Sequence, residues 1–289
     1  MATRTAWVLN LDADLELGAG AHYQPRGSVR VAMKPHVAHL AATLLGPDDV
    51  LVDEDSPALV ARGLPGRAFC PTPRALAMLK RAGAVPEPHP SVDVLRRVCS
   101  RAFASSLGPT MPGAAFVTTV DVARTMIEGE PAVGNAWRVK HAFGMAGRNQ
   151  RVVAAPLAAG DLAFVLRGLS RGGVQIEPNV AIDREYAIHG LLGQDGSLRE
   201  GTLVRQRCDR NGAWVATEPL AAEDRSGDVL DRMTEELRRV ARALFEAGYF
   251  GPFGIDAFAY HDRLGALLLQ PRSEINARYS MGFAVGLVP

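Results

Sequence analysis

The pattern of apolar and polar positions predicts short buried strands that alternate with helices in the first part of the chain. Apolar runs at 6–11, 49–52 and 66–70 are typical of strands, whereas 35–45 and 74–82 have helical character. Thr72 and Pro73 indicate where the second helix starts, because threonine caps a helix and proline suits its first position. This alternation favours a small parallel sheet.

The polar run at 12–17 is predicted to continue the first strand, and the glycine-rich segment 17–23 to form a loop. The loop is a poor nucleotide fingerprint, because no helix start follows it directly. His22 and Tyr23 within it are candidate contacts for an acceptor substrate, although a plain loop explains them better.

From residue 91 the pattern changes to longer elements. One amphipathic helix is predicted at 92–107, ending at Gly108, and the apolar stripe within 228–247 predicts another. Shorter helices are expected at 120–128 and 161–171. Strands are predicted at 115–117, 136–140, 151–153, 174–180, 185–192, 202–207 and 213–217, with Asp-Gly and Asn-Gly turn signals near 195 and 211.

The closing part of the chain carries the most distinctive chemistry. Two apolar runs, 254–258 and 267–275, flank a turn signal and predict a hairpin that would bring Asp256, Glu274 and Asn276 to one sheet edge. Two carboxylates and an amide oxygen suit Mg²⁺, which completes its shell with waters and nucleotide phosphates. Glu274, Asn276 and Arg278 alternate, so they are expected to share one face.

Composition narrows the function classes. The 289 residues carry a formal net charge of +1, which disfavours a general binder of nucleic acid or membrane surfaces. Three cysteines without paired spacing predict reduced thiols, and no apolar run is long enough to span a membrane, so a cytoplasmic protein is expected. The seven histidines show no metal-ligand spacing.

The closing segment, with its Gly-x-Asp strand and Glu-x-Asn-x-Arg run, resembles the metal-binding end of the ATP-grasp enzymes. The resemblance implies an α/β (α+β) fold, with two α+β subdomains clasping ATP behind a small N-terminal parallel α/β domain. It covers most of 91–289 as the ATP-grasp domain, and leaves 1–90 as the preceding domain, which would help to shape the acceptor site.

The same resemblance implies roles for further residues. Arg101 stands where the family places a nucleotide-contacting lysine, although it could equally belong to a solvated helix face. Lys140 ends a strand before a glycine loop that would cover the phosphates. The cofactor-binding set is Arg101, Lys140, Gly144, Gly147, Glu177, Val180 and Glu185, with Glu177 and Val180 at the adenine hinge and Glu185 on the ribose.

The reaction implied is ATP-dependent activation of a carboxylate as an acylphosphate, which an amine or similar nucleophile then attacks. Catalytic roles fall to Arg278, Lys140 and Arg205, although Arg205 and Arg207 could instead be solvated on an exposed sheet. The expected ligands are ATP, Mg²⁺ and small-molecule carboxylate and amine substrates. A kinase of the same fold and a non-catalytic ATP-binding module stay open as alternatives, as does the choice between monomer and homodimer.

Overall fold

The computed structural model describes residues 4–20, 23–209, 212–221 and 227–287, which form three β-sheets and the helices packed on them. His22 and the Asn211 turn position lie outside the described residues. The described chain is a mixed α/β protein with one parallel and two antiparallel sheets, as the sequence pattern predicted.

The first sheet is parallel and has the strand order β2-β1-β3-β4. Its strands are β1 (Ala6–Val8), β2 (Val50–Leu51), β3 (Pro65–Ala68) and β4 (Val85–Pro86), and its helices are α1 (Ala13–Ala19), α2 (Gly27–Leu44) and α3 (Pro73–Arg81). The hydroxyl of Thr72 accepts the backbone N–H of Ala75, so the predicted cap of α3 is confirmed.

The prediction of a strand at 12–17 is wrong, because α1 occupies this segment. Alternation of acidic and apolar residues suggested a strand, yet the acidic side chains are buried by partners far away in sequence. Arg74 binds Asp12 at 2.5 Å and Arg278 binds Asp14 at 2.6 Å. Because each of these buried carboxylates has an ion-pair partner, its side chain does not need to face water.

The second sheet is antiparallel, with the order β5-β8-β6-β7. Helices α6 (Val120–Glu128) and α7 (Ala159–Leu169) pack their apolar faces on it around Val139 and Ile176. Its strands are β5 (Ala115–Val117), β6 (Trp137–His141), β7 (Gln150–Val153) and β8 (Val174–Pro178).

The third sheet is antiparallel and has the order β12-β11-β9-β13-β14, with β10 paired to β9. Its strands are β9 (Ile182–Leu192), β10 (Leu198–Glu200), β11 (Val204–Cys208), β12 (Trp214–Pro219), β13 (Gly251–His261) and β14 (Leu267–Asn276). Helix α8 (Gly227–Glu246) buries its predicted stripe against this sheet, and α9 (Phe283–Gly286) ends the described chain.

The segment predicted as one helix at 92–107 is two helices, α4 (Val92–Val98) and α5 (Arg101–Ser106). The break falls at Ser100, whose hydroxyl accepts the backbone N–H of Ala102 at 3.2 Å and caps α5. Arg101 is therefore the first residue of a new helix, where its backbone N–H bonds the carbonyl of Ala142 beside β6.

The largest hydrophobic core joins the first sheet to the third. It combines residues of β1, α1 and α4 with the inner faces of α8, β9 and β13. The N-terminal region is thus packed firmly against the sheet that carries the closing hairpin.

Candidate active site

A cavity of about 440 Å³ lies between the second and third sheets, with α2 on one side. Eleven of the twelve residues that were given a catalytic, cofactor-binding or metal-binding role from the sequence line it. These are Arg101, Lys140, Gly144, Gly147, Glu177, Val180, Glu185, Asp256, Glu274, Asn276 and Arg278. Residues from four separate stretches of the chain are therefore brought to one place, while their individual roles stay predictions.

The closing hairpin forms the acidic wall of the cavity. Asp256 on β13 pairs across the ladder with Glu274 on β14, and a bulge follows between Asp256 and Phe258. The Nδ2 group of Asn276 donates to Asp256 Oδ2 at 2.9 Å. The two carboxylates are direct neighbours across the ladder although they are far apart in sequence, because β13 and β14 are long strands.

The electrostatics of Asp256 follow from this position. Burial, reinforced by the facing Glu274 carboxylate, raises the pKa of Asp256 to about 7, against the opposing effect of the Asn276 hydrogen bond. Gln206 on β11 also donates to its Oδ1 at 3.2 Å. Ionisation of Asp256 is costly because it is buried and faces the Glu274 carboxylate. A bound divalent cation would stabilise the ionised form.

The donor set fits a small hard cation that keeps other ligands. In the described part of the chain, no group of three or more His, Cys, Asp or Glu side chains is arranged to hold a metal. Asp256, Glu274 and Asn276 supply two carboxylates and one amide oxygen. Mg²⁺ is commonly bound by one or two carboxylates and completes its octahedron with waters and phosphates.

Arg101 reaches the acidic wall from the start of α5. Its Nη2 donates to Glu274 Oε1 at 2.8 Å, and its Nη1 donates to the carbonyl of His141 at 2.9 Å. The guanidinium is therefore not on a solvated helix face. It ties together α5, β6 and β14 at the cavity through its two separate Nη groups.

Lys140 and Glu177 form a buried ion pair on β6 and β8. Their charged atoms are 2.6 Å apart, with side-chain exposures of 9% and 5%. Arg138, on the same face of β6 as Lys140, donates to the side chain of Asn179 at 2.8 Å. Val180 follows at the end of the second sheet, so this wall combines a charged pair with the irregular segment that the sequence suggested as an adenine hinge.

The loop between β6 and β7 lines one side of the cavity, and two of its glycines have a structural reason. A Cβ added at Gly144 would lie 2.8 Å from the carbonyl oxygen of Arg148 and 3.0 Å from Nη1 of Arg101. Gly147 has a φ of +74°, which favours glycine. Gly144 thus lets the loop pass close to Arg101, Gly147 suits the turn, and Arg148 lines the cavity from the same loop.

Glu185 on β9 and Arg278 after β14 complete the polar lining. Glu185 accepts the backbone N–H of Cys208 at 2.8 Å. Arg278 is fixed by Asp14 of α1 and lies over the ring of Phe69 at 5.1 Å. The N-terminal region therefore positions an arginine at the cavity, and Asp14 is a site residue that the sequence interpretation missed.

Arg205 is the exception among the predicted residues, because it does not line the cavity. Side chains alternate across a strand, and in β11 it is Gln206 and Cys208 that face the cavity. Arg207, which shares the face of Arg205, is 3.2 Å from Glu218 of β12. The residue of β11 beside Asp256 is thus Gln206, and the catalytic role of Arg205 stays a prediction.

Three solved structures that are similar to this chain are distant from it in sequence. N5-carboxyaminoimidazole synthetase from Staphylococcus aureus, complexed with ADP, has a TM-score of 0.52 at 14% identity, over 96% of this chain and 71% of its own. Biotin carboxylase from Campylobacter jejuni, as a β-γ-ATP complex, has a TM-score of 0.58 at 13% identity, over 98% and 67%. D-alanyl-alanine synthetase A from Vibrio cholerae has a TM-score of 0.57 at 13% identity, over 100% and 92%.

These neighbours are ATP-grasp enzymes, and the chain has the ATP-grasp fold, as its closing motif predicted. At such low identity the likeness concerns the fold alone. No protein-family model matches the sequence, and no curated protein matches it either. No helix in the described ranges is long and apolar enough to cross a membrane.

Proposed function

We propose that this protein is an ATP-dependent ligase, which activates a carboxylate as an acylphosphate and joins it to an amine or a similar nucleophile. The observation that carries the proposal is the cavity, where paired carboxylates, a buried Lys140, a glycine loop and Arg278 converge. The ATP-grasp fold supports it, since the neighbours include two synthetases and a carboxylase, two of them in complexes with adenine nucleotides.

The nucleotide would lie along the wall between the second and third sheets. Its base would contact the Glu177–Val180 segment and Lys140, and its ribose hydroxyls would bind Glu185. Backbone N–H groups of the Gly144–Gly147 loop, together with Arg101 and Arg148, would receive the phosphates, because main-chain amides and guanidinium groups suit phosphate oxygens. Each of these assignments is a proposal that rests on the cavity lining.

Asp256, Glu274 and Asn276 would hold Mg²⁺. When bound, the ion neutralises phosphate oxygens and so favours phosphoryl transfer. Arg101 is 2.8 Å from Glu274, and for this carboxylate to bind the ion the guanidinium would exchange it for a nucleotide phosphate.

In the reaction, a carboxylate oxygen of the substrate attacks the terminal phosphorus and ADP leaves. The amine then attacks the acyl carbon, inorganic phosphate leaves, and the amine loses a proton. Arg278 is held by Asp14 with its guanidinium at the cavity, and so it would stabilise negative charge that develops during transfer. No protein nucleophile is required.

Free thiols at Cys70, Cys99 and Cys208 fit a reducing cytoplasm, where we place the protein.

The first test is calorimetric titration with a non-hydrolysable ATP analogue, with and without Mg²⁺. We expect metal-dependent binding by the native chain, and a loss of at least about 100-fold in that binding for Glu274→Ala, because a metal ligand is removed. Glu128→Ala, on the exposed end of α6, is the matched control. Absence of nucleotide binding by the native chain would overturn the proposal.

The second test separates a ligase from a kinase of the same fold. Carboxylates are screened with ATP, with and without amines, and phosphate release is followed together with the products. A ligase releases phosphate with formation of an amide-type product. A stable phosphorylated product that no amine consumes would instead indicate a kinase.

A further inference from the structure

One end of the cavity has no role in the proposed nucleotide and metal sites. It lies where the chain leaves β14 after Asn276, and α2 and the start of β12 form its other walls. We call it the apolar end, because six apolar side chains line it: Leu11, Ala32, Met33, Phe69, Trp214 and Met281.

The elements that form the apolar end are in contact with one another. The backbone N–H of Tyr279 donates to the carbonyl of Phe69 at 3.1 Å, so the segment after β14 runs beside the end of β3. Met33 and Met281 are partly buried, and both pack against the core that contains Leu11 and Phe69. The apolar end therefore continues the largest core of the molecule into the cavity.

Trp214 forms the wall on the side of β12. The centroid of its ring lies 4.7 Å from that of His39 and 5.9 Å from that of His36, so the start of β12 packs against α2. Its Nε1 donates to Thr217 Oγ1 at 2.8 Å. Because the polar edge of the indole already has a partner, the ring presents apolar surface to the cavity.

The charged groups at the border of the apolar end also have partners. Arg278 Nη2 lies 2.6 Å from Asp14 Oδ2, and Arg278 Nη1 donates to the carbonyl of Tyr279 at 3.0 Å. On the turn before β12, Asp209 Oδ1 accepts the backbone N–H of Ala213 at 2.9 Å. A further charge on a ligand would lose its hydration among the apolar side chains, which is costly, so an uncharged group suits this end.

Two polar side chains at the border can bind a carboxylate. A guanidinium has five N–H donors, and the contacts of Arg278 with carboxylate and backbone oxygens use three of them. Ser280 is 7% exposed, and its Oγ lies 2.8 Å from Nε2 of His189, which holds the hydroxyl in place. Both residues line the cavity shortly after Asn276 in the chain, so a carboxylate bound to them lies between the proposed metal site and the apolar end.

We propose that the carboxylate substrate is a monocarboxylate with an uncharged apolar group, aromatic or aliphatic, and that the apolar end binds this group. The assignment to the carboxylate substrate rests on the proposed function. Arg278 and Ser280 hold the carboxylate towards the terminal phosphate, and the apolar group lies between α2 and Trp214. Affinity then increases with the apolar surface that the group removes from water.

The test is calorimetric titration of the full chain, with the non-hydrolysable ATP analogue and Mg²⁺ present. The ligands are propionate, 3-phenylpropionate, succinate, which carries a second charge, and 3-phenylpropylamine, which has an ammonium group in place of the carboxylate. We expect 3-phenylpropionate to bind at least about tenfold more tightly than each of the others, because its phenyl group is buried and its carboxylate has partners.

The variant Met33→Gln/Trp214→Gln makes two half-buried positions of the apolar end polar. It should still bind the nucleotide, whereas its preference for 3-phenylpropionate over propionate should fall to about threefold or less. The matched control is Val31→Gln/Val215→Gln, on the same helix and the same strand. Val31 and Val215 are 66% and 51% exposed and lie outside the cavity lining, so this variant should keep the native preference.

Four results with bound nucleotide would overturn the proposal: no binding of any carboxylate, equal affinity for propionate and 3-phenylpropionate, tighter binding of succinate or of the amine, and an unchanged preference in Met33→Gln/Trp214→Gln. If the nucleotide itself does not bind, the proposed function fails. The same series without nucleotide then still measures the preference of the apolar end, so the two failures are distinguishable.

Discussion

The cavity of the candidate active site differs from a second cavity, of about 620 Å³ on the other side of the glycine loop, in how its cations are matched. In the first, Lys140 is 2.6 Å from Glu177 and Arg101 is 2.8 Å from Glu274. In the second, Arg26 and Arg171 face no carboxylate of the described lining. The first cavity is therefore held in place by its own ion pairs, whereas the arginines of the second are matched by solvent.

Burial explains why the two solutions can coexist. Lys140 and Glu177 are almost completely buried, and a charge in such surroundings needs a partner at once. Arg26 and Arg171 are exposed, so water solvates them. A ligand of the first cavity must compete with internal partners, which favours selectivity.

The largest expected effect is on the free energy of unfolding, and it compares one residue from each cavity. Lys140→Met leaves Glu177 buried without its partner and should cost about 3–5 kcal/mol of unfolding free energy. Arg171→Gln should stay within about 0.5 kcal/mol of the native chain. Denaturant unfolding of both variants measures the difference.

The double variant Lys140→Met/Glu177→Gln serves as the control for this experiment. It should recover a large part of the loss, since no unpaired charge is left. Similar losses for Lys140→Met and Arg171→Gln would contradict the contrast between the cavities.

A smaller effect is expected from Asp256→Asn, and it depends on pH. The raised pKa of Asp256, about 7 against an ordinary 3.8, means that the folded protein keeps this proton while the unfolded chain loses it. The stability that Asp256 contributes is thus complete below about pH 4, falls as the pH rises to about 7, and is constant above that.

Asparagine has no such ionisation, so the metal-free variant should be more stable than the native chain by about 1–2 kcal/mol at pH 8, because solvent screening reduces the full effect. The gain should disappear towards pH 4. Denaturant unfolding in chelator at pH 4.5 and pH 8 measures it. An equal difference at both values would refute the assignment of the pH dependence to Asp256.

The smallest expected effect is on nucleotide affinity, and it shows which residues of β11 belong to the first cavity. Arg205→Ala should leave nucleotide affinity within about twofold, because the residue does not line the cavity. Gln206→Ala removes the hydrogen bond to Asp256 and should weaken metal-dependent binding by about five- to tenfold. If Arg205→Ala weakened nucleotide binding more than Gln206→Ala, Arg205 and not Gln206 would belong to the site.

Local patterns were sufficient for much of the fold. The closing hairpin followed from two apolar runs and a turn signal, and α6 and β5 lie where periodicity placed them. Local patterns failed where partners distant in sequence determine the secondary structure. The alternating acidic residues of α1 predicted a strand because Arg74 and Arg278 could not be foreseen, and the helix break at Ser100 was hidden by a continuous amphipathic stripe.

The sequence by itself predicted the hairpin that sets Asp256 opposite Glu274, and its resemblance to the ATP-grasp enzymes predicted the fold and eleven of the residues that line the first cavity. The hairpin depends on spacing within strands and a turn, which neighbouring residues encode. Only the tertiary structure decided that Gln206 and not Arg205 faces the cavity, that Asp14 holds Arg278 across 264 positions of chain, and that a second, positive cavity adjoins the first. Such contacts arise from the packing of whole elements, and a local pattern carries no record of them.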